Sequence, residues 1–503
     1  MDRENSEPTP RGAWLAVTVL AGGLFAAVVS TTVVSVALPT IGRELHAGAT
    51  QLEWIVDAYV LVYASLLVAG GVIGDRRGRK GLFLIGVATF GLGALVTGVA
   101  PNTGVLLVGR VVQGLGPALL VPGSLTIIRA IFEDPKKRAS AIGLWSTSSG
   151  LALAVGPALG GVIVNGLGWR WVFLVNVPFS ALLVALAARL IPRVERNPAT
   201  SRFDWAGAIL STLSMAAVAF GIIEGPDWGW ASPRILAAFA AGLVALGLFI
   251  GWELHRPEPL VDVRLFLRPA FAVANVAAMI VFFAFVGAIV YFSAYFQNVQ
   301  GHSPVEAGLD VSAIGVAFAL AAPLSGRLVG RIGPFWPMFA GLAVSGVATL
   351  GLLRLGPNTG IGAIWWDFAL VGGGVGLSLT PMTTTAVASV AASRAGMASA
   401  VHNALRQLGQ VLGVAVLGVL VYAQLPHGHG GGRLAPEAGR HFVTGLHHAI
   451  WASGLILLAA AAMVALLAAR SRKPVAGAPR PSDGPAHAAS ARADAPATPV
   501  GER

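Results

Sequence analysis

The sequence predicts an all-α polytopic membrane protein with 14 transmembrane helices, arranged as two six-helix bundles with two further helices inserted between them. Three observations predict it. Of 503 residues, 55% are hydrophobic and only 11% are charged, which leaves too little polar surface for a water-soluble protein of this size. The apolar residues fall into long runs, each able to supply the roughly 20 residues that cross about 30 Å of hydrocarbon. The cations cluster in short turns between runs, as they do on the cytoplasmic side of membrane proteins.

The first six runs lie at 14–38, 52–73, 82–100, 104–131, 139–165 and 170–191. The inserted pair follows at 205–224 and 235–252, and the second six lie at 270–297, 307–330, 335–354, 361–390, 396–423 and 445–470. The first run is too long for a cleavable signal and reads as a retained helix. Five segments result: a cytoplasmic stretch 1–13, an amino-terminal bundle 14–191, a linker with the inserted helices 192–269, a carboxy-terminal bundle 270–470 and a tail 471–503. The tail is Ala, Pro, Ser and Arg without apolar periodicity, a composition that predicts disorder. Gly71, Asp75, Arg76 and Gly78 match Gly326, Gly330, Arg331 and Gly333 in spacing, with the acid lost. Two related halves of six runs each account for that repeat.

Orientation follows from the turn Gly71–Lys80, where Arg76, Arg77, Arg79 and Lys80 separate two apolar runs. With the amino terminus inside, only six of the 34 Lys and Arg fall in outer loops: Arg43, Arg170, Arg234, Arg354, Arg433 and Arg440. Arg110 and Arg406 lie within runs, and all the others are on the inner side. Both termini are therefore expected in the cytoplasm; a bacterial inner membrane and a monomeric chain are separate expectations.

Several function classes fall away. The net charge of +11 is spread over turns and tail rather than gathered in one stripe, so nucleic acid is not the expected partner. With no cysteine there is no thiol nucleophile and no thiolate metal site. No Walker lysine follows a Gly-rich turn, and the histidines lack metal spacing. The outer stretch His427–Arg433 reads as a solvated loop before it reads as a weak metal site. No cofactor is expected, and the chain does not read as an enzyme.

The chemistry sits in the ionisable groups inside runs, each expensive in lipid unless paired or wet. Asp57 and Arg110 both lie about six residues in from the outer side. Asp57 is the candidate protonation site, and Arg110 would change how tightly that proton is held as contact between them is made and lost; a permanent ion pair is the competing reading. Asp75 ends its run where the helix dipole disfavours an anion. Asp75 would accordingly be held as a latch by a nearby Arg and by the amino end of the helix starting near Gly396, in the other half. Candidate cavity residues are Trp54, Gln113, Asn275, Tyr291, Tyr295, Gln297, Asn403, Arg406 and Gln407. Each could instead be helix-to-helix glue or an interfacial anchor. Asp310, Asp367 and Glu224 read as solvated helix ends.

Gly71-x-x-x-Asp75-Arg76-x-Gly78-Arg79-Lys80 resembles the loop 2/3 signature of the major facilitator superfamily. Gly109-Arg110-x-x-Gln113-Gly114 is similar to its helix 4 motif. Gly150 through Gly156-Pro157-x-x-Gly160-Gly161 resembles its helix 5 antiporter motif. Trp169-Arg170-Trp171-x-Phe173-x-x-Asn176-x-Pro178, the segment Gln297–Leu309 and Arg406-Gln407-x-Gly409 are similar to signatures of the fourteen-helix drug:proton antiporter branch. The resemblance implies export of small amphipathic molecules, drugs or antibiotics, driven by a proton gradient. It gives Gly150, Gly156, Pro157, Gly160 and Gly161 the role of a gasket between halves, where absent side chains let backbones approach. One departure stands out: Ser30 occupies the position where the branch usually carries an acid. Fewer protons per cycle, less cationic substrates or weaker coupling would follow. Proton symport or uncoupled export of a metabolite or lipid is the alternative, and a non-transporting sensor or assembly protein a more distant one.

Overall fold

The structure, a computed structural model, describes residues 10–192, 204–257, 259–390, 395–423, 425 and 433–471. The expected disordered tail and the histidine loop at 427–432 lie outside the described residues. The first bundle holds α1 (Pro10–Leu45), α2 (Ala49–Arg77), α3 (Arg79–Gly98), α4 (Thr103–Ile131), α5 (Pro135–Leu167) and a helix broken into α6 (Arg170–Leu174) and α7 (Asn176–Leu190). The inserted pair is α8 (Trp205–Trp228) and α9 (Pro233–His255). The second bundle holds α10 (Pro269–Ala294), α11 (Pro304–Ile332), α12 (Phe335–Gly351), α13 (Trp365–Ala388), α14 (Ala395–Tyr422) and α15 (Pro436–Ser471).

The fold is all-helical, as the sequence predicts. Over the described residues, 12 helices are long and apolar enough to cross a membrane, and α2 and α13 stand beside them to complete the two bundles. Helix ends are set by ordinary chemistry. Asn102 caps α4 through the Val105 N–H at 3.0 Å, and Ser303 with Glu306 forms a capping box on α11. Gly78 joins α2 to α3 at φ +99°, which a side chain would strain.

Packing reveals how the halves relate. Helix two of each bundle lies against helix five of the other: α2 on α14, and α11 on α5. That reciprocal exchange is what two related six-helix units produce when they meet about a pseudo-twofold axis. Because hydrocarbon offers no hydrophobic gain for helix association, close backbone approach supplies the contact. A Cβ on Gly308 would strike the Pro157 carbonyl, one on Gly315 the Leu153 carbonyl, and one on Gly161 the Pro304 carbonyl. The inserted helix α8 packs against both α2 and α14, covering one seam between the halves.

The two ends of the bundle differ. At the end opposite the Arg-rich α2–α3 turn, here the far end, the Gln297 side-chain amide donates to the Val36 carbonyl across the halves at 3.0 Å. Gln297 belongs to a π-helical turn, Tyr295–Val299, that follows α10. At the basic end, a Cβ placed on Gly143 of α5, or on Gly326 or Gly330 of α11, would meet nothing within 4 Å among the described residues. The halves are thus in contact at the far end, while these glycines of α5 and α11 touch no described neighbour at the basic end.

Candidate functional site

Three clusters of buried polar groups lie within the two bundles. In the first, α4 presents Arg110 to the turn of α2 that carries Asp57. Both residues are 0% exposed. Arg110 Nε donates to the Ile55 carbonyl at 2.8 Å, and Nη1 donates to Gln113 Oε1 at 2.8 Å and to Ser30 Oγ at 3.3 Å. The Gln113 amide also donates to Ser30 Oγ at 3.2 Å, and the guanidinium lies over the Tyr59 ring at 4.3 Å. Asp57 takes no part: neither of its carboxyl oxygens has a hydrogen-bond partner, and Arg110 Nη2 is likewise unpaired. The permanent ion pair weighed from the sequence is not present in this conformation. A buried carboxyl without partners is unusual, since buried polar groups are normally hydrogen-bonded.

Ser30 stands inside this network. At the position where the resemblance leads one to expect an acid, a neutral hydroxyl bridges Arg110 and Gln113. The cation therefore has hydrogen bonds but no counter-charge among the described residues.

The second cluster lies at the far end, and sequence reasoning missed its centre. Glu53, one turn before Asp57 on α2, is 6% exposed. Its carboxyl and the Tyr291 hydroxyl both sit over the Gly418 backbone of α14, where any side chain would collide with them. It is within electrostatic reach of Asp57, Asp227 and Glu224, and of Tyr291 and Tyr422. Trp54 faces α8 rather than a central cavity, its indole donating to Glu224 Oε1 at 2.9 Å, while Thr50 donates to Asp227 Oδ2 at 2.6 Å. Glu224 is therefore a partner, not a solvated end. Tyr291 donates to the Val414 carbonyl at 2.5 Å. Tyr295 lies apart from the other cavity candidates, donating to the Gly356 carbonyl in the α12–α13 connection at 2.6 Å. Asp367 is buried and paired with Arg354, and Asp310 meets His302 at 2.9 Å, so neither reads as freely solvated.

The third cluster is on α14 and α10. Arg406 lies over the Phe282 ring at 4.2 Å, and its Nη1 donates to Asn403 Oδ1 at 3.3 Å. Tyr63 of the first bundle is within electrostatic reach. Gln407 accepts from Gln410 while its own amide N–H group and Arg406 Nε have no partner. One turn away, His402, also unforeseen, is buried between Asn275 Oδ1 at 3.1 Å and Thr383 Oγ1 at 3.1 Å.

Of the predicted gasket, Gly156 and Gly160 meet Thr32 and Val33 of α1 in their own half. Gly161 and Pro157 meet α11 across the seam, and Gly150 has only Phe318 at 3.7 Å. Of the predicted latch, Gly71 packs on Pro122 and Gly78 makes the turn to Arg79. The side chains of Asp75 and Arg76 lie outside the described residues. No group of three or more His, Cys, Asp or Glu suited to a metal occurs among the described residues.

Comparison with known proteins fits this geometry. The family model described as Major Facilitator Superfamily matches residues 20–414. "Multidrug resistance protein Stp" of Mycobacterium tuberculosis is 37% identical over 405 residues, covering 80% of this chain and 75% of that one. "Tetracenomycin C resistance and export protein" of Streptomyces glaucescens is 33% identical over 414 residues, covering 82% of this chain and 76% of that one. Among solved structures, a bacterial homolog of the human lysosomal transporter Spinster, inward-facing and unoccupied, superposes with a TM-score of 0.66. That match covers 92% of this chain and 98% of the other at 19% identity, a likeness of fold alone.

Proposed function

Since the chain belongs to the major facilitator superfamily, and is thus a multi-pass membrane transporter of small molecules rather than an enzyme, we propose that it exports amphipathic drugs or antibiotics in exchange for protons. The basic end then faces the cytoplasm, with both termini, and the far end faces outward. The driving force is the proton gradient, no cofactor is needed, and the monomer is the working unit. The names of the relatives, multidrug resistance and export, support efflux as the direction.

One observation carries proton coupling: Asp57 is wholly buried with neither oxygen bonded, beside an Arg110 that is bonded to everything except Asp57. In the present conformation the acid is enclosed and unbonded. Opening the far end must break the Gln297 to Val36 contact and part α5 from α11. Water then reaches the outer third of α2, and a neighbouring cation or polar solvent stabilises the carboxylate it could not stabilise before. Reprotonation from outside allows the far end to close again over a neutral acid. Alternating access and proton exchange are in this way one equilibrium, biased by which state tolerates the charge.

The test is transport in proteoliposomes with an imposed pH gradient. Coupled export predicts counterflow of substrate against protons that Asp57→Asn abolishes. A symporter would move substrate with the protons, and an uncoupled exporter would ignore the gradient; either outcome rejects the reading.

A further inference from the structure

Both arginines inside the spans, Arg110 and Arg406, lack a carboxylate within ion-pair distance among the described residues. Buried cations in membrane proteins are normally paired, and an unpaired one marks a pathway or a ligand. The two differ in what they can reach. Arg110 is wholly buried and occupied by Ile55, Gln113 and Ser30. Arg406 is only partly buried, on α14 within electrostatic reach of Tyr63 in the other half, and it carries an unpaired Nε.

Its surroundings are those of a ligand site. The guanidinium lies over the buried ring of Phe282 from α10 at 4.2 Å, which helps to hold the charge in place. Gln407, 7% exposed, holds an amide nitrogen with no partner, a second unused donor one residue along. Asn403 accepts from Arg406 Nη1 and fixes the fork. The groups facing Arg406 are Tyr63 from α2, Phe282 from α10, and His402, Asn403 and Gln407 on its own helix, and none is an acid. The cluster thus has donors in excess, a fixed planar cation and no negative charge of its own.

We infer that Arg406, with Gln407, binds the acidic group of an anionic amphipath, a carboxylate on an apolar body. The inference rests on the efflux reading for its biological sense but not for its test. Arg supplies the fork that matches a carboxylate, Gln407 adds a hydrogen bond, and Phe282 supports the guanidinium from beneath. The site discriminates by charge: a cationic amphipath of the same shape meets like charge, and an ester of the acid loses the charge-assisted bonds.

Equilibrium binding to the purified full-length protein in detergent, with no gradient present, tests this. The probes are pyrenebutyrate and its methyl ester, followed by fluorescence. The intact protein should bind the acid at least about tenfold more tightly than the ester. Arg406→Gln should collapse that ratio to about one, Arg406→Lys should keep part of it, and Gln407→Leu should reduce it with the fold unaffected. Equal affinity for acid and ester, binding of neither, or a ratio unchanged in both Arg406→Gln and Gln407→Leu would overturn the assignment. Loss of proton coupling in a gradient experiment would leave this equilibrium ratio where it is, so the two readings fail separately.

Discussion

Arg110 and Asp57 lie at the same depth on adjoining helices and do not touch: Arg110 bonds the Ile55 carbonyl two residues before Asp57, while both Asp57 oxygens are unpartnered. The acid and the cation are both buried in the first bundle, and neither has the other as a partner in this conformation.

Ser30 decides how that system is balanced. Its hydroxyl lies 3.3 Å from Arg110 Nη1, so Ser30→Asp places a carboxylate within reach of the guanidinium and supplies a permanent counter-ion. Transport of cationic amphipaths relative to anionic ones should rise by about tenfold. Parallel uptake of one probe of each charge in proteoliposomes measures the ratio, and an unchanged ratio would contradict the role given to Arg110.

Removing Arg110 should be costly in two ways. Arg110→Gln takes the arginine donor from the Ile55 carbonyl and from Gln113 Oε1, while Ser30 keeps its bond from the Gln113 amide. Each unsatisfied group costs about 1–3 kcal/mol, so the melting temperature in detergent should fall. Arg110→Lys keeps the charge but not the fork, and should recover stability more than transport.

The seam between α5 and α11 predicts a sharp contrast among glycines. Gly315→Ala drives a methyl group into the Leu153 backbone, and Gly308→Ala drives one into the Pro157 carbonyl. Both should loosen closure at the far end and raise passive proton leak, read with a pH-sensitive dye trapped in vesicles. Gly143→Ala and Gly326→Ala meet open space and should stay within about 0.5 kcal/mol of the parent in stability, with no added leak. Equal behaviour of the two pairs would refute the seam as the seal.

Glu53 should shape the response to external pH. It sits with Asp57, Glu224 and Asp227 within electrostatic reach, so Glu53→Gln relieves like-charge repulsion while keeping shape. Stability should be held or raised, and the dependence of transport rate on outside pH should become shallower. A pH profile superposable on the parent would remove Glu53 from the proton route.

Much of this was legible in the chain because lipid makes polar residues rare. Asp57 and Arg110 stand out in any apolar run, and Ser30 stood out as a departure from a signature before the structure put it on Arg110. Glu53 did not, since an acid five residues into a helix reads as interfacial; only Gly418, from a helix more than 300 residues on, shows that it is enclosed. Gln297 looked like a cavity group because its partner, the Val36 carbonyl, lies in the other half. The place of α8 over the seam of α2 and α14 was illegible for a related reason. A helix apolar all round gives no sign of which neighbour it covers.

The most direct measurement is drug counterflow in proteoliposomes, with the outward face acidified, for the parent and Asp57→Asn side by side. The account predicts that acidification drives transport in the parent, and that the amide variant, folded and still able to bind drug, shows no response to the gradient. A gradient response that survives in Asp57→Asn would contradict it.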